Sequence, residues 1–192
     1  MKSDYFNRTQ LEEWWNATTH AIPAGVMLCY ALLHSDESVV LLSAAMCLTF
    51  IFSMLYHIEK IIVAKEFLRR MDMSSIFLLI GVTGTVYSQA ADAYLWWLPV
   101  LLGVLFAVGC VLFYGRAMDA AMVPFSLGLS CAAVAIFTSG DPTLTEAVYF
   151  TFGNVMYVAG LRYYLRDSRK WYHLVWHLYV VAAAFVHLSC FL

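Results

Sequence analysis

The last apolar segment of the sequence contains its strongest candidates for chemistry. Residues 171–192 include no Asp, Glu, Lys or Arg, yet they include His173, His177 and His187. His173 and His177 are four residues apart, so a helix places both imidazoles on one face, one turn apart. An ionisable residue inside a membrane span usually has a function. We therefore predict that His173 and His177 bind the same metal ion.

The composition predicts the elements that must position these histidines. The chain is 62% hydrophobic and 12% charged, whereas soluble domains carry about 25% charged residues. Apolar runs recur from Asn16 to the C-terminus. We predict an all-α integral membrane protein, a single domain over residues 1–192 with seven transmembrane helices. The predicted spans are 16–33, 38–57, 73–89, 94–114, 117–137, 144–164 and 171–192, preceded by a short interfacial helix over 9–15.

The basic residues test this count of spans. All 11 Lys and Arg residues, from Lys2 onward, fall on one side of a seven-span arrangement. The positive-inside rule makes that side cytoplasmic, so we expect the N-terminus inside and the C-terminus outside. The basic runs look like topology determinants, and we predict no nucleic-acid partner.

This topology gathers further polar residues at the cytoplasmic end of the bundle. His57 ends span two, Asp72 opens span three, and His20 lies near the start of span one. Three neutral imidazoles with one open position make a catalytic zinc site. We therefore predict Zn²⁺ bound by His57, His173 and His177, with Asp72 orienting or deprotonating water. Ser53, one turn before His57, is the other candidate catalytic residue.

Structural roles are also open for these residues. The three histidines could form interhelical hydrogen bonds, Asp72 could cap span three, and Ser53 could serve helix packing. We interpret His20, Glu13 and Asn16 as a structural or supporting network rather than ligands. His187 is about 21 Å along the helix axis from His173 and cannot share its metal.

Four sequence motifs resemble those of the hemolysin III-like bacterial branch of the progesterone and adipoQ receptor family, which includes the adiponectin receptors. They are E-x-x-N-x-x-T-H from Glu13 to His20, S-x-x-Y-H from Ser53 to His57, the aspartate Asp72, and H-x-x-W-H from His173 to His177 followed by His187. Met73 departs from the histidine that bacterial members often have there.

The resemblance implies zinc held by His57, His173 and His177, with Asp72 and Ser53 beside it. It also implies a membrane-lipid substrate, because the family is associated with ceramide hydrolysis and membrane-lipid homeostasis. We accordingly expect a zinc-dependent hydrolase of lipid amides or esters in a bacterial inner membrane, with its metal towards the cytoplasm. The sequence does not predict an oligomeric state.

Two other functions remain open at this point. The first is a zinc-stabilised sensor, receptor-like protein or cytolysin without turnover, in which the same ligands serve folding. The second is a b-type haem electron carrier, because His20 and His34, and likewise His173 and His187, are 14 residues apart.

Overall fold

The computed structural model describes residues 8–113 and 115–192, with the backbone alone for residues 116–119. Lys2 and Tyr114, the end of predicted span four, lie outside the described residues. Within the described part, the chain forms seven helices and no strand. The helices are α1 (Gln10–Leu33), α2 (Glu37–Ile58), α3 (Ile62–Ala90), α4 (Leu98–Leu112), α5 (Arg116–Phe137), α6 (Leu144–Tyr164) and α7 (Tyr172–Ser189).

Two helices begin at capping boxes. The side chain of Thr9 accepts a hydrogen bond from the Glu12 backbone N–H, and the Glu12 carboxylate accepts one from the Thr9 N–H. Thr143 and Glu146 form the same pair at the start of α6. These reciprocal bonds satisfy backbone donors that have no partner within the helix.

Two helix boundaries differ from the predicted spans. The predicted interfacial helix and span one form a single continuous helix, because nothing interrupts the hydrogen-bond ladder between them. The helix containing span three begins at Ile62, well before Met73. The charged segment ahead of span three is thus helical. The N-cap residue of this helix is Ile61, so the alternative that Asp72 caps it is wrong.

Four helices in the described residues are long and apolar enough to cross a membrane: Glu37–Ile58, Ile62–Ala90, Ala120–Phe137 and Tyr172–Ser189. α4 is a shorter apolar helix. Many large apolar side chains on the outside of the bundle are exposed, which is costly in water and favourable in lipid. On α4 and α6 they include Leu101, Leu105, Val108, Val148, Phe152 and Val155.

Small residues set the distance between α3 and α4. A Cβ added at Gly103 would lie 2.6 Å from the carbonyl oxygen of Phe77 and 3.1 Å from the Cα of Gly81. The two backbones therefore touch where both glycines meet. α3 also packs against α2 and α5, and α7 packs against α1, α2 and α6. Helices α1, α2 and α7 thereby come together at the end of the bundle that contains their histidines.

Candidate metal centre

Three histidines from two helices converge at one point. The ligand atoms of His57 on α2 and of His173 and His177 on α7 all lie within 4.8 Å of one another. The Nε2 atoms of His57 and His173 are 3.2 Å apart. His57 and His177 are buried, and the His173 side chain is 11% exposed. The predicted grouping of these three side chains is confirmed.

Residues in the first turns of α1 and α3 fix the orientation of His57. Its Nδ1 donates a hydrogen bond of 2.5 Å to the Glu13 carboxylate. The other oxygen of Glu13 accepts a 3.1 Å hydrogen bond from the Lys65 ammonium. Glu13 thereby fixes the proton on Nδ1 of His57 and leaves Nε2 with a free electron pair, the form that binds a metal.

His177 is held by α1. Its Nδ1 lies 3.2 Å from the backbone carbonyl oxygen of Asn16 and 3.2 Å from the Thr19 hydroxyl, which itself donates to that carbonyl. The ring of His20 stacks on the ring of His177 with centroids 3.9 Å apart. α1 therefore fixes both the tautomer and the plane of His177, using residues of the predicted E-x-x-N-x-x-T-H motif.

His173 contacts an ion pair that the sequence analysis missed. Arg8 donates a 2.7 Å hydrogen bond to Asp167, and the same Arg8 nitrogen lies 3.0 Å from Nδ1 of His173. The Asp167 carboxylate is 3.7 Å from that Nδ1. Burial acts to raise the pKa of Asp167, but the contact with His173 and the charge of Arg8 outweigh it, so the pKa is lowered. Asp167 is therefore ionised at neutral pH.

The start of α7 is fixed by a strained residue. Trp171 has φ 67°, in the left-handed region that a bulky side chain rarely adopts. Its backbone N–H donates a 3.1 Å hydrogen bond to the Glu12 carboxylate. Burial acts to raise the pKa of Glu12, but hydrogen bonds from Thr9 and Trp171 outweigh it and the pKa is lowered. Glu12 thus connects the first turn of α1, by a hydrogen bond, to the start of α7, the helix that carries His173.

The three imidazoles could hold a metal ion, and one of their separations can be compared with a tetrahedral zinc site. Zinc binds imidazole nitrogen at about 2.0–2.1 Å, which puts two ligand atoms about 3.3 Å apart at a tetrahedral angle. The observed 3.2 Å between the Nε2 atoms of His57 and His173 matches this spacing. The side-chain amide of Asn16, next to the cluster, is buried with no hydrogen-bond partner among the described residues. Such a group indicates a missing polar partner.

Ser53 and Asp72 lie together beside the histidine cluster rather than within it. The Ser53 side chain, buried one turn before His57, hydrogen-bonds the Asp72 carboxylate. Asp72 is half-buried and is not among the residues whose ligand atoms meet. This arrangement gives Asp72 a fixed orientation from α3 without making it a ligand of the three-histidine group.

Three side chains that support the ligands were not predicted from the sequence: Arg8, Lys65 and Asp167. Arg8 and Lys65 were interpreted only as topology determinants, and Asp167 was given no role. Lys65 is charged yet only 7% exposed, and this burial is visible only in the folded protein. The one signal in the sequence was an isolated carboxylate shortly before His173.

The fold and the site together define a class: an all-helical protein with apolar spans and a buried three-histidine cluster. A model of the haemolysin III-related family matches residues 8–188, nearly the whole chain. The protein therefore belongs to the haemolysin III-related family, which confirms the predicted resemblance. No curated protein and no solved structure matches the chain.

Proposed function

We propose that this protein is a zinc-dependent hydrolase that cleaves an amide or ester bond in a ceramide-like membrane lipid and serves membrane-lipid homeostasis. The observation that carries the proposal is the convergence of His57, His173 and His177, each with its Nδ1 engaged by another group. Three neutral imidazoles with an open fourth position are typical of catalytic zinc. Family membership supports the membrane setting.

The proposal includes an arrangement in the membrane. All seven helices cross the bilayer, with the N-terminus in the cytoplasm and the C-terminus outside. The membrane is a bacterial inner membrane and the metal site lies towards its cytoplasmic side. In the sequence, all 11 basic residues fall on one side of the seven predicted spans, which supports this orientation.

Asp72 and Ser53 have separate roles in the proposed hydrolysis. A bound zinc ion would activate water as a nucleophile and polarise the lipid carbonyl. Asp72 accepts the proton of the attacking water and returns it to the leaving nitrogen, while Ser53 orients Asp72. Water adds across the C–N bond, giving a fatty acid and a free amine. The apolar surface of the bundle lets acyl chains reach the site from the lipid.

The test combines metal content with lipid turnover. We expect one zinc per chain in detergent-purified wild-type protein by elemental analysis, and release of fatty acid from long-chain ceramide by mass spectrometry. His57→Ala and His173→Ala should lose both, whereas Asp72→Asn should keep zinc and lose turnover. A His173→Ala protein that lacks zinc but retains full activity would refute the proposal.

A second candidate is a zinc-stabilised sensor without turnover. The cleft beside His173, lined by Arg8, Asp167 and neighbouring residues, encloses only about 10 Å³, roughly the space of one water molecule. This cleft does not reach His57 or His177, but it leaves no room for a lipid carbonyl on this side of His173, which favours a structural metal. Zinc-loaded wild-type protein that leaves every ceramide and acyl lipid intact would support this candidate over the hydrolase.

The haem hypothesis is disfavoured by packing. The His20 ring stacks directly on His177. A Cβ at Gly153 would lie 2.4 Å from the His187 ring, so that ring rests on the α6 backbone. A porphyrin therefore has no room at Nε2 of His187, the atom that lies against Gly153.

A further inference from the structure

The contact between Arg8 and His173 determines where the proton of this imidazole lies. A guanidinium can only donate hydrogen bonds, and Arg8 approaches Nδ1 of His173 at 3.0 Å. Nδ1 must therefore accept, which places the proton of neutral His173 on Nε2. The neighbouring Nε2 of His57 is 3.2 Å away and is free to accept, because His57 carries its own proton on Nδ1 facing Glu13. The hydrogen bonds are mutually consistent.

Metal binding requires the opposite tautomer of His173. The Nε2 electron pair must face the ion, so the proton must move to Nδ1. Arg8 cannot accept that proton. The Asp167 carboxylate can, because its oxygens accept hydrogen bonds and its Oδ2 lies 3.7 Å from Nδ1. Arg8 keeps a partner after leaving His173, since it already donates to Asp167 at 2.7 Å.

We propose that Asp167 is a positioning residue for His173: its carboxylate accepts the Nδ1 proton in the metal-bound protein, while Arg8 competes for the same nitrogen in the metal-free protein. This inference rests on the proposed metal site, but not on turnover. Carboxylates that accept from metal-bound histidines typically contribute 10–100-fold to metal affinity. Arg8 opposes the metal in two ways, because it holds the wrong tautomer and adds a positive charge.

A purely structural ion pair makes a different prediction. If Arg8 and Asp167 only fasten the chain ahead of α1 to the connection between α6 and α7, then removing either partner breaks the same bond. Both variants would then weaken metal binding equally. The positioning role predicts that the two variants differ in direction, because one residue supports the metal-binding tautomer and the other opposes it.

The experiment measures zinc affinity by chelator competition in the purified full chain. We expect Asp167→Asn to bind zinc about 10–100-fold more weakly than wild type, Asp167→Glu to recover part of the loss, and Arg8→Gln to bind at least as tightly as wild type. Glu66→Gln is the matched control, since it removes an exposed carboxylate near the same end of the bundle. Equal losses in Asp167→Asn and Arg8→Gln, or an unchanged Asp167→Asn, would overturn the inference.

A second measurement keeps the inference testable if either variant is unstable. Nitrogen NMR of ¹⁵N-histidine-labelled protein reports the tautomer directly. We expect His173 to carry its proton on Nε2 in metal-free wild type, and on Nδ1 in metal-free Arg8→Gln and in zinc-loaded wild type. An Nδ1 proton in metal-free wild type would overturn the role of Arg8.

The outcomes separate this inference from the proposed function. Zinc-binding wild-type protein without lipid turnover would refute the hydrolase and leave the role of Asp167 standing. An Asp167→Asn protein with wild-type zinc affinity and wild-type turnover would do the reverse.

Discussion

The α3–α4 contact gives a sharp test of the packing, through the substitution Gly103→Ala. The added Cβ would lie 2.6 Å from the Phe77 carbonyl oxygen and 3.1 Å from the Gly81 Cα. Both neighbours are backbone atoms, so no side chain can rotate away and the helices must separate. Overpacking of this kind costs about 1–3 kcal/mol.

The same helix offers a control in Gly109→Ala. A Cβ at Gly109 meets nothing within 4 Å. Both substitutions replace glycine by alanine inside α4, so the gain in helix propensity, up to about 1 kcal/mol, is common to both. The difference in stability between the two variants therefore measures the clash alone, and we expect it to be about 1–3 kcal/mol.

The assay is thermal unfolding of the detergent-purified protein, followed by near-UV circular dichroism. For a chain of this size, 1 kcal/mol corresponds to about 2–4 °C in melting temperature. Gly103→Ala should therefore melt at least about 2 °C below Gly109→Ala. Equal melting temperatures would show that the two helices do not approach as described, and the reasoning would fail.

Three further predictions concern the site. Glu13→Gln should lower zinc affinity about 10–100-fold, because Glu13 fixes the His57 tautomer; chelator competition measures this, and an affinity equal to that of Glu66→Gln would contradict it. Glu12→Gln should be less stable than wild type by about 0.3–1 kcal/mol at neutral pH. The pKa of Glu12 is lowered in the folded protein. Its contribution to stability is therefore present above the unfolded pKa of about 4.3 and is lost as pH falls through the folded pKa. A stability difference between wild type and Glu12→Gln that stays unchanged from pH 7 to pH 3 would argue against this role of Glu12. Removal of zinc by a strong chelator should lower the melting temperature of wild type but not of His57→Ala, because binding to the folded state alone stabilises it.

The sequence predicted an all-helical protein and the grouping of the three histidines. Helix positions follow from local hydrophobic composition and capping pairs such as Thr9 with Glu12, so they can be identified within a short window of residues. The grouping of His57 with His173 followed from counting spans between them. The helical turns of α3 ahead of the predicted span were not identified, because this charged segment gives no apolar signal although Lys65 and Arg69 are buried.

What the sequence alone determined is the class of protein, the family motifs and the three imidazoles, since each depends on residue type and on spacing along one helix. What only the tertiary structure decided is which groups hold the second nitrogen of each imidazole. Arg8 and His173 are 165 positions apart, and Glu13 and His57 are 44 apart. No local pattern encodes such pairs, because the packing of α1 against α2 and α7 brings them within hydrogen-bonding distance.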